Sequence, residues 1–146
     1  MPDSRPAATA LVPIRKDLFT LPLSPLGDVR LVGTDCKTCG EVSLGQARMC
    51  PNCAATDVTP LPLSTQGVVW TYTVIRHRPP GEYQGPDPFV PFGLGLVELP
   101  EGLRVLAPLD GDIESLHVGM EVELVVFQLY RDTEDNGVVA FEFRAL

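Results

Sequence analysis

The sequence predicts a mainly β chain in three parts: an N-terminal arm (residues 1–30), a four-cysteine ribbon (31–60) and a five-stranded barrel (61–146). Three observations carry this expectation. The 146 residues include 15 Pro and 13 Gly, which favour turns over long helices. The four cysteines fall into two C-x2-C pairs, and from Leu63 onward apolar and polar residues alternate with the period of a strand. At 45% hydrophobic and 21% charged residues the chain can bury a core, and its length suits one domain or two very small ones.

In the arm, Pro13, Pro22 and Pro25 forbid a single long helix. Leu11, Val12, Ile14, Leu18, Phe19, Leu21, Leu23 and Leu26 nonetheless make the segment too apolar for a flexible tail. It is expected to pack on something, either this chain or another. Its only early apolar stretch, Ala7 to Val12, is cut by Pro13 before it reaches the length of a signal-peptide core. No run approaches the roughly 20 apolar residues of a membrane-spanning helix, so a cytoplasmic protein without membrane contact is expected.

The ribbon is expected around Cys36, Cys39, Cys50 and Cys53, two pairs separated by ten residues. A C-x2-C turn lets two thiolates approach one ion; Gly40 is free to take a positive φ after the first pair, and Pro51 stiffens the second turn. Two such turns build a tetrahedron, and a closed shell of four thiolates leaves no open position for a substrate. The reading is one structural Zn2+ per chain in a rubredoxin-like ribbon, with iron as a rival metal and disulfides or a dithiol redox motif as the non-metal alternatives. Such a small module cannot bury enough apolar surface to fold alone, so metal binding is part of its folding free energy. The site uses every cysteine, so no thiol remains as a nucleophile. His77 and His117 lack a recognisable Ser-His-Asp pattern, and no catalytic residue is assigned. His117 is expected at the exposed entrance to a strand.

The barrel strands follow in order. In Val68 to Ile75, positions 68, 70, 72 and 74 share one face, which is expected to be core. Gly93 to Leu99 and Leu103 to Ala107 form a hairpin across Pro100-Glu101-Gly102. Glu121 to Leu129 and Val138 to Arg144 flank Asp135-Asn136-Gly137, whose Asn-Gly can supply the positive φ values of a tight turn. Five short antiparallel strands with a long excursion after the first fit an OB-type barrel better than a sandwich. The excursion, Arg76 to Phe92, holds five prolines, the aromatic residues Tyr83, Phe89 and Phe92, and the basic cluster Arg76, His77 and Arg78. Ordered loops of this length are commonly functional. It either plugs the barrel mouth or contacts a partner protein and an anionic ligand, with the basic cluster facing phosphate or carboxylate.

Charge narrows the partners. The net charge is −8, and residues 1–92 are neutral, whereas residues 93–146 hold 11 acidic and only 3 basic residues. An acidic barrel repels a phosphate backbone and anionic membranes alike, which excludes nucleic acid as the leading partner. Trp70 and Tyr72 are then expected as core or interface residues rather than base-stacking platforms.

Taken in order, Cys36-Lys37-Thr38-Cys39-Gly40, Arg48-Met49-Cys50-Pro51-Asn52-Cys53, Leu63 to Val74, Arg78-Pro79-Pro80-Gly81, Gly95 to Leu99 and Val118 to Val122 resemble the zinc-ribbon plus OB-fold accessory subunits of thiolase-like enzymes. The resemblance covers roughly residues 26–146. It implies a non-catalytic subunit in a hetero-oligomer with a thiolase-fold partner that carries the nucleophile. In that family the accessory chain helps form the CoA or acyl-CoA site or holds successive enzymes together, while the ribbon is structural. The branches most resembled serve degradative thiolases or aldolases with bulky aromatic or steroid-derived acyl-CoA, the small subunits of benzoylsuccinyl-CoA thiolases among them. The prolines of the arm depart from the helix that many relatives carry. The alternatives are a scaffold or protein-binding module without CoA contact, a nucleic-acid-binding ribbon-barrel and an iron electron carrier.

Overall fold

The computed structural model describes residues 8–146, so residues 1–7 of the expected arm lie outside the described residues. Among the described residues nine strands account for nearly all regular structure: β1 (Leu11–Pro13), β2 (Val32–Cys36), β3 (Val42–Leu44), β4 (Val58–Pro62), β5 (Gln66–Ile75), β6 (Phe92–Glu98), β7 (Arg104–Asp110), β8 (Glu121–Arg131) and β9 (Gly137–Ala145). Two single 3-10 turns, Leu26–Asp28 and Ile113–Ser115, complete it. No helix among the described residues is long and apolar enough to cross a membrane.

The ribbon is a three-stranded antiparallel sheet in the order β3-β2-β4. A Cβ at Gly33 would meet the Leu63 side chain and the Ser43 carbonyl at 2.9 Å, so glycine lets β2 and β3 close on Leu63. Beside it Thr34 is buried, yet its hydroxyl donates to the Gly45 carbonyl at 2.6 Å and accepts from the Ala47 amide at 2.9 Å. Both hydrogen bonds offset the cost of placing a polar group there.

The barrel closes through the pairings β5-β6, β6-β7, β7-β9, β9-β8 and β8-β5, only β7-β9 being parallel. This five-strand closure is that of an OB fold. Inward residues alternate along each strand: Val97 on β6, Val105, Ala107 and Leu109 on β7, Val122 on β8, Val139 and Phe143 on β9. The arm supplies Leu18, Phe19, Leu23 and Val29 to the same core cluster, beside Leu31 of the ribbon segment. It therefore packs on this chain, and burying each such side chain is worth about 1.5–3 kcal/mol.

Two expectations are corrected. Val68, Trp70, Tyr72 and Val74 do not share a face. Val69 is buried, whereas Val68 and Trp70 are exposed, and only Tyr72 and Val74 pack against the core. A bulge between Val69 and Thr71 inserts one residue opposite β6 and reverses the alternation at Trp70. In the β8–β9 turn the left-handed residue is Asp135 (φ 63°), and Gly137 already belongs to β9. The Asp132 carboxylate organises this turn by accepting from the amides of Glu134 at 3.0 Å and Asn136 at 2.8 Å.

The arm adds one element absent from the sequence reading. β1 runs parallel to β9, pairing Leu11 with Gly137 and Pro13 with Val139. Further along the same β9 edge, β7 pairs at Leu109–Phe143 and Asp110–Arg144. Residues 140–142 lie between these two pairings, a three-residue notch in the sheet.

Candidate functional site

Two local structures gather the residues singled out by sequence. The first is the cysteine cluster. Cys36 ends β2 and Cys39 lies in the turn that follows; Cys50 and Cys53 lie in the connection between β3 and β4. The turns are near copies: the Gly40 amide donates to the Cys36 carbonyl and the Ala54 amide to the Cys50 carbonyl, each at 2.9 Å. The residue after each second cysteine is left-handed, Gly40 at φ 78° and Ala54 at φ 64°.

The Sγ atoms of Cys36 and Cys53 stand 3.6 Å apart, those of Cys39 and Cys50 3.7 Å, and all four lie within 4.8 Å of one another. Thiolates bound at about 2.3 Å to a tetrahedral ion stand roughly 3.8 Å apart, so the cluster fits such an ion and is too open for disulfides. Amides supply the outer contacts: Cys39 N–H points to Cys36 Sγ at 3.5 Å, Asn52 N–H to Cys50 Sγ at 3.4 Å, and Asn52 Nδ2 to Cys39 Sγ at 3.6 Å.

These contacts divide the thiols. The Glu41 amide, followed by the Asn52 side chain, lowers Cys39 to about 6, and the Cys39 amide lowers Cys36. The Ala55 amide acts in the same sense on Cys53, but desolvation and the three neighbouring thiols outweigh it and raise Cys53 to about 12. Four sulfurs this close resist full ionisation on their own, and a bound cation is what allows all four to be thiolates together.

The second structure is the Arg76 to Phe92 loop. Tyr83 stacks on Phe92 with ring centroids 6.2 Å apart, and Phe89 meets both rings edge-on at 5.8 and 6.2 Å. The Arg78 guanidinium lies over the Tyr83 ring at 5.7 Å. The structure thus brings together Arg78, Tyr83, Phe89 and Phe92, while Arg76 and His77 stand exposed at the root of the loop. The three rings belong to no part of the buried core, so they do not plug the barrel. Two of them, Tyr83 and Phe92, form one wall of a cavity of about 580 Å3 against β7, β9 and β8 at the notch, lined also by Leu106, Phe127, Asp110 and Glu142.

His117 is exposed ahead of β8, its Nδ1 3.1 Å from the Ser115 carbonyl. Sequence reasoning missed the Arg104 guanidinium 3.8 Å above the exposed Trp70 ring, with Arg104 Nε also donating to Glu98 at 3.0 Å. It also missed Asp110 and Glu142. These residues lie on different strands, and only the parallel β7–β9 pairing brings them to one cavity.

Comparison with known proteins follows this geometry. Residues 61–128 match the family described as ChsH2, C-terminal OB-fold domain. A DUF35 domain-containing scaffold protein of Methanocaldococcus jannaschii is 33% identical over 116 residues, covering 78% of this chain and 79% of that protein. The benzoylsuccinyl-CoA thiolase subunit BbsA of Geobacter metallireducens is 29% identical over 117 residues, covering 80% and 75% respectively. Among solved structures, a chain of the Ltp2-ChsH2(DUF35) aldolase superposes with a TM-score of 0.61 at 29% identity, covering 80% of this chain and 84% of that one.

Proposed function

The chain belongs to the DUF35 family, and from that premise we propose that it is a non-catalytic subunit that docks on a thiolase-fold enzyme and helps form or order its CoA or acyl-CoA site. The acyl group in this reading is bulky, aromatic or steroid-derived, the aromatic form in keeping with the name of the benzoylsuccinyl-CoA thiolase subunit that the chain resembles. The partner supplies the nucleophile, because every cysteine of this chain is committed to the tetrahedral cluster. The ion there is one structural zinc per chain: four thiolates suit zinc, and a full ligand shell leaves it no substrate position. The complex is cytoplasmic, with neither nucleic acid nor membrane as a partner.

The observation that carries this reading is the ordered loop. Arg76, His77 and Arg78 stand exposed beside a packed aromatic triad, so cations for the phosphates of CoA adjoin apolar surface for the rest of the ligand. A second reading is favoured by the relatives named scaffold proteins: the chain holds enzymes together without touching CoA.

The test is thiolytic activity of this chain co-purified with a thiolase-like protein from the same source, against each component alone. Activity only in the complex is expected. The double variant Arg76→Ala/Arg78→Ala is expected to raise the CoA requirement of the complex about tenfold while keeping the metal. Association with no gain in activity, or an unchanged CoA requirement in the double variant, transfers support to the scaffold reading.

A further inference from the structure

The cavity at the notch has a lining unlike that of the loop above it. Three elements build it: the exposed face of β7 with Leu106 and Pro108, the β8–β9 pair with Phe127 and Ala140, and the loop with Tyr83 and Phe92. Around its mouth Leu106 is 60% exposed, Val90 55% and Ile14 46%. Single exposed apolar residues are ordinary, but three grouped around one concave apolar surface mark a place that is covered in the working assembly.

The cavity is also charged, and of one sign. Asp110 and Glu142 contribute to its lining, and no Lys, Arg or His does. Among the described residues neither carboxylate is held in an ion pair, and Arg144, whose charge offsets that of Glu142, is engaged with Glu123 at 3.0 Å. Burial, and then the charge of Asp110, push the Glu142 carboxyl above its usual range, as expected for a partly desolvated acid facing another acid.

We propose that this groove receives a basic amphipathic segment of the partner enzyme, with an apolar side chain in the cavity and a lysine or arginine against Asp110 and Glu142. Charge chooses the occupant. Two carboxylates repel the phosphates of CoA and the headgroup of an anionic lipid, whereas a cation relieves their mutual repulsion. The exposed rim chooses its size: a small organic cation inside the cavity would leave Ile14, Val90 and Leu106 in water, and a protein surface covers them. The groove is then the anchor of the subunit, and the basic root of the loop stays free for the ligand of the complex.

This proposal rests on the reading of the chain as a subunit of a thiolase-type complex, so the test begins with wild-type association. Affinity for the co-purifying thiolase-like protein is measured for wild type, Asp110→Asn/Glu142→Gln, Leu106→Ser and the control Glu134→Gln, with bound metal and Tm recorded to verify folding. The double carboxylate variant is expected to bind about tenfold more weakly and with a flatter salt dependence, L106S to bind more weakly with an unchanged salt slope, and E134Q to match wild type. A photo-crosslinker at position 106 of the otherwise wild-type chain is expected to label a partner segment containing Lys or Arg. Unchanged affinity in both groove variants, or labelling elsewhere on this chain or on a second copy of it, overturns the groove while leaving the subunit reading intact. No association of the wild-type chain overturns both.

Discussion

One carboxylate oxygen of Glu101 holds Ser64 twice, accepting from its amide at 3.0 Å and its hydroxyl at 2.8 Å. Ser64 joins β4 to β5, and Glu101 sits in the β6–β7 turn, so the bond ties the exit of the ribbon to the barrel across 37 positions of sequence. Removing the hydroxyl in Ser64→Ala is expected to cost about 1 kcal/mol, and Glu101→Ala, which leaves the part-buried Ser64 amide without its acceptor, roughly 1–3 kcal/mol. Urea unfolding of the two variants measures both; midpoints equal to wild type would remove the strut.

The cysteine cluster makes metal removal a structural event. A strong chelator, or Cys39→Ser, is expected to release one ion per chain and expose the segment between Lys37 and Asp57 to protease, while the barrel strands persist in circular dichroism. Full protection of that segment in metal-free protein would refute a structural role for the ion.

The paired turns predict substitutions of opposite sign. Ala54 holds φ 64° with a Cβ, at a penalty of about 1 kcal/mol, so Ala54→Gly is expected to be neutral or stabilising. Gly40 holds φ 78° without one, and Gly40→Ala is expected to lose about 1 kcal/mol although its Cβ would meet nothing within 4 Å. Thermal melts of the metal-bound variants compare them directly.

Glu142 and Asp132 predict opposite responses to acid. Burial and then Asp110 raise the folded pKa of Glu142 above 4.5, so its ionised form destabilises the fold. Glu142→Gln is expected to raise Tm at pH 7, with the gain fading as pH falls through the raised value and gone below about 4.5, the unfolded value. Asp132, lowered from 3.8 chiefly by the Asn136 amide, contributes stability above its unfolded value that is lost as pH falls through its folded one. The gap between wild type and Asp132→Ala is therefore expected to narrow at the acid end of a pH series of melts.

What the sequence revealed, and what it hid, follows from the range of the interactions involved. The thiolate cluster was legible because two short turns determine it locally, and the ribbon-barrel family was legible because its motifs occur in a fixed order. The strands β5 to β9 announced themselves by alternation. The face of β5 did not, because a one-residue bulge at Trp70 leaves no mark in the pattern yet reverses every side chain on one side of it. β1 was hidden for a different reason: three residues, one of them Pro13, carry no periodicity, and the strand exists only because β9 offers it an edge. The groove was invisible because Asp110 and Glu142 meet only after the barrel closes.

The docking of β1 on β9 bears on how such a subunit avoids unwanted polymerisation. An open strand edge is a template for any passing chain, and fibrils grow from such templates. Here the arm fills that edge at Gly137–Val139 and β7 fills it at Phe143–Arg144, leaving three residues between, too few to seed a foreign strand. At this edge association is thereby confined to side-chain recognition, which discriminates among partners where backbone pairing would accept any extended peptide.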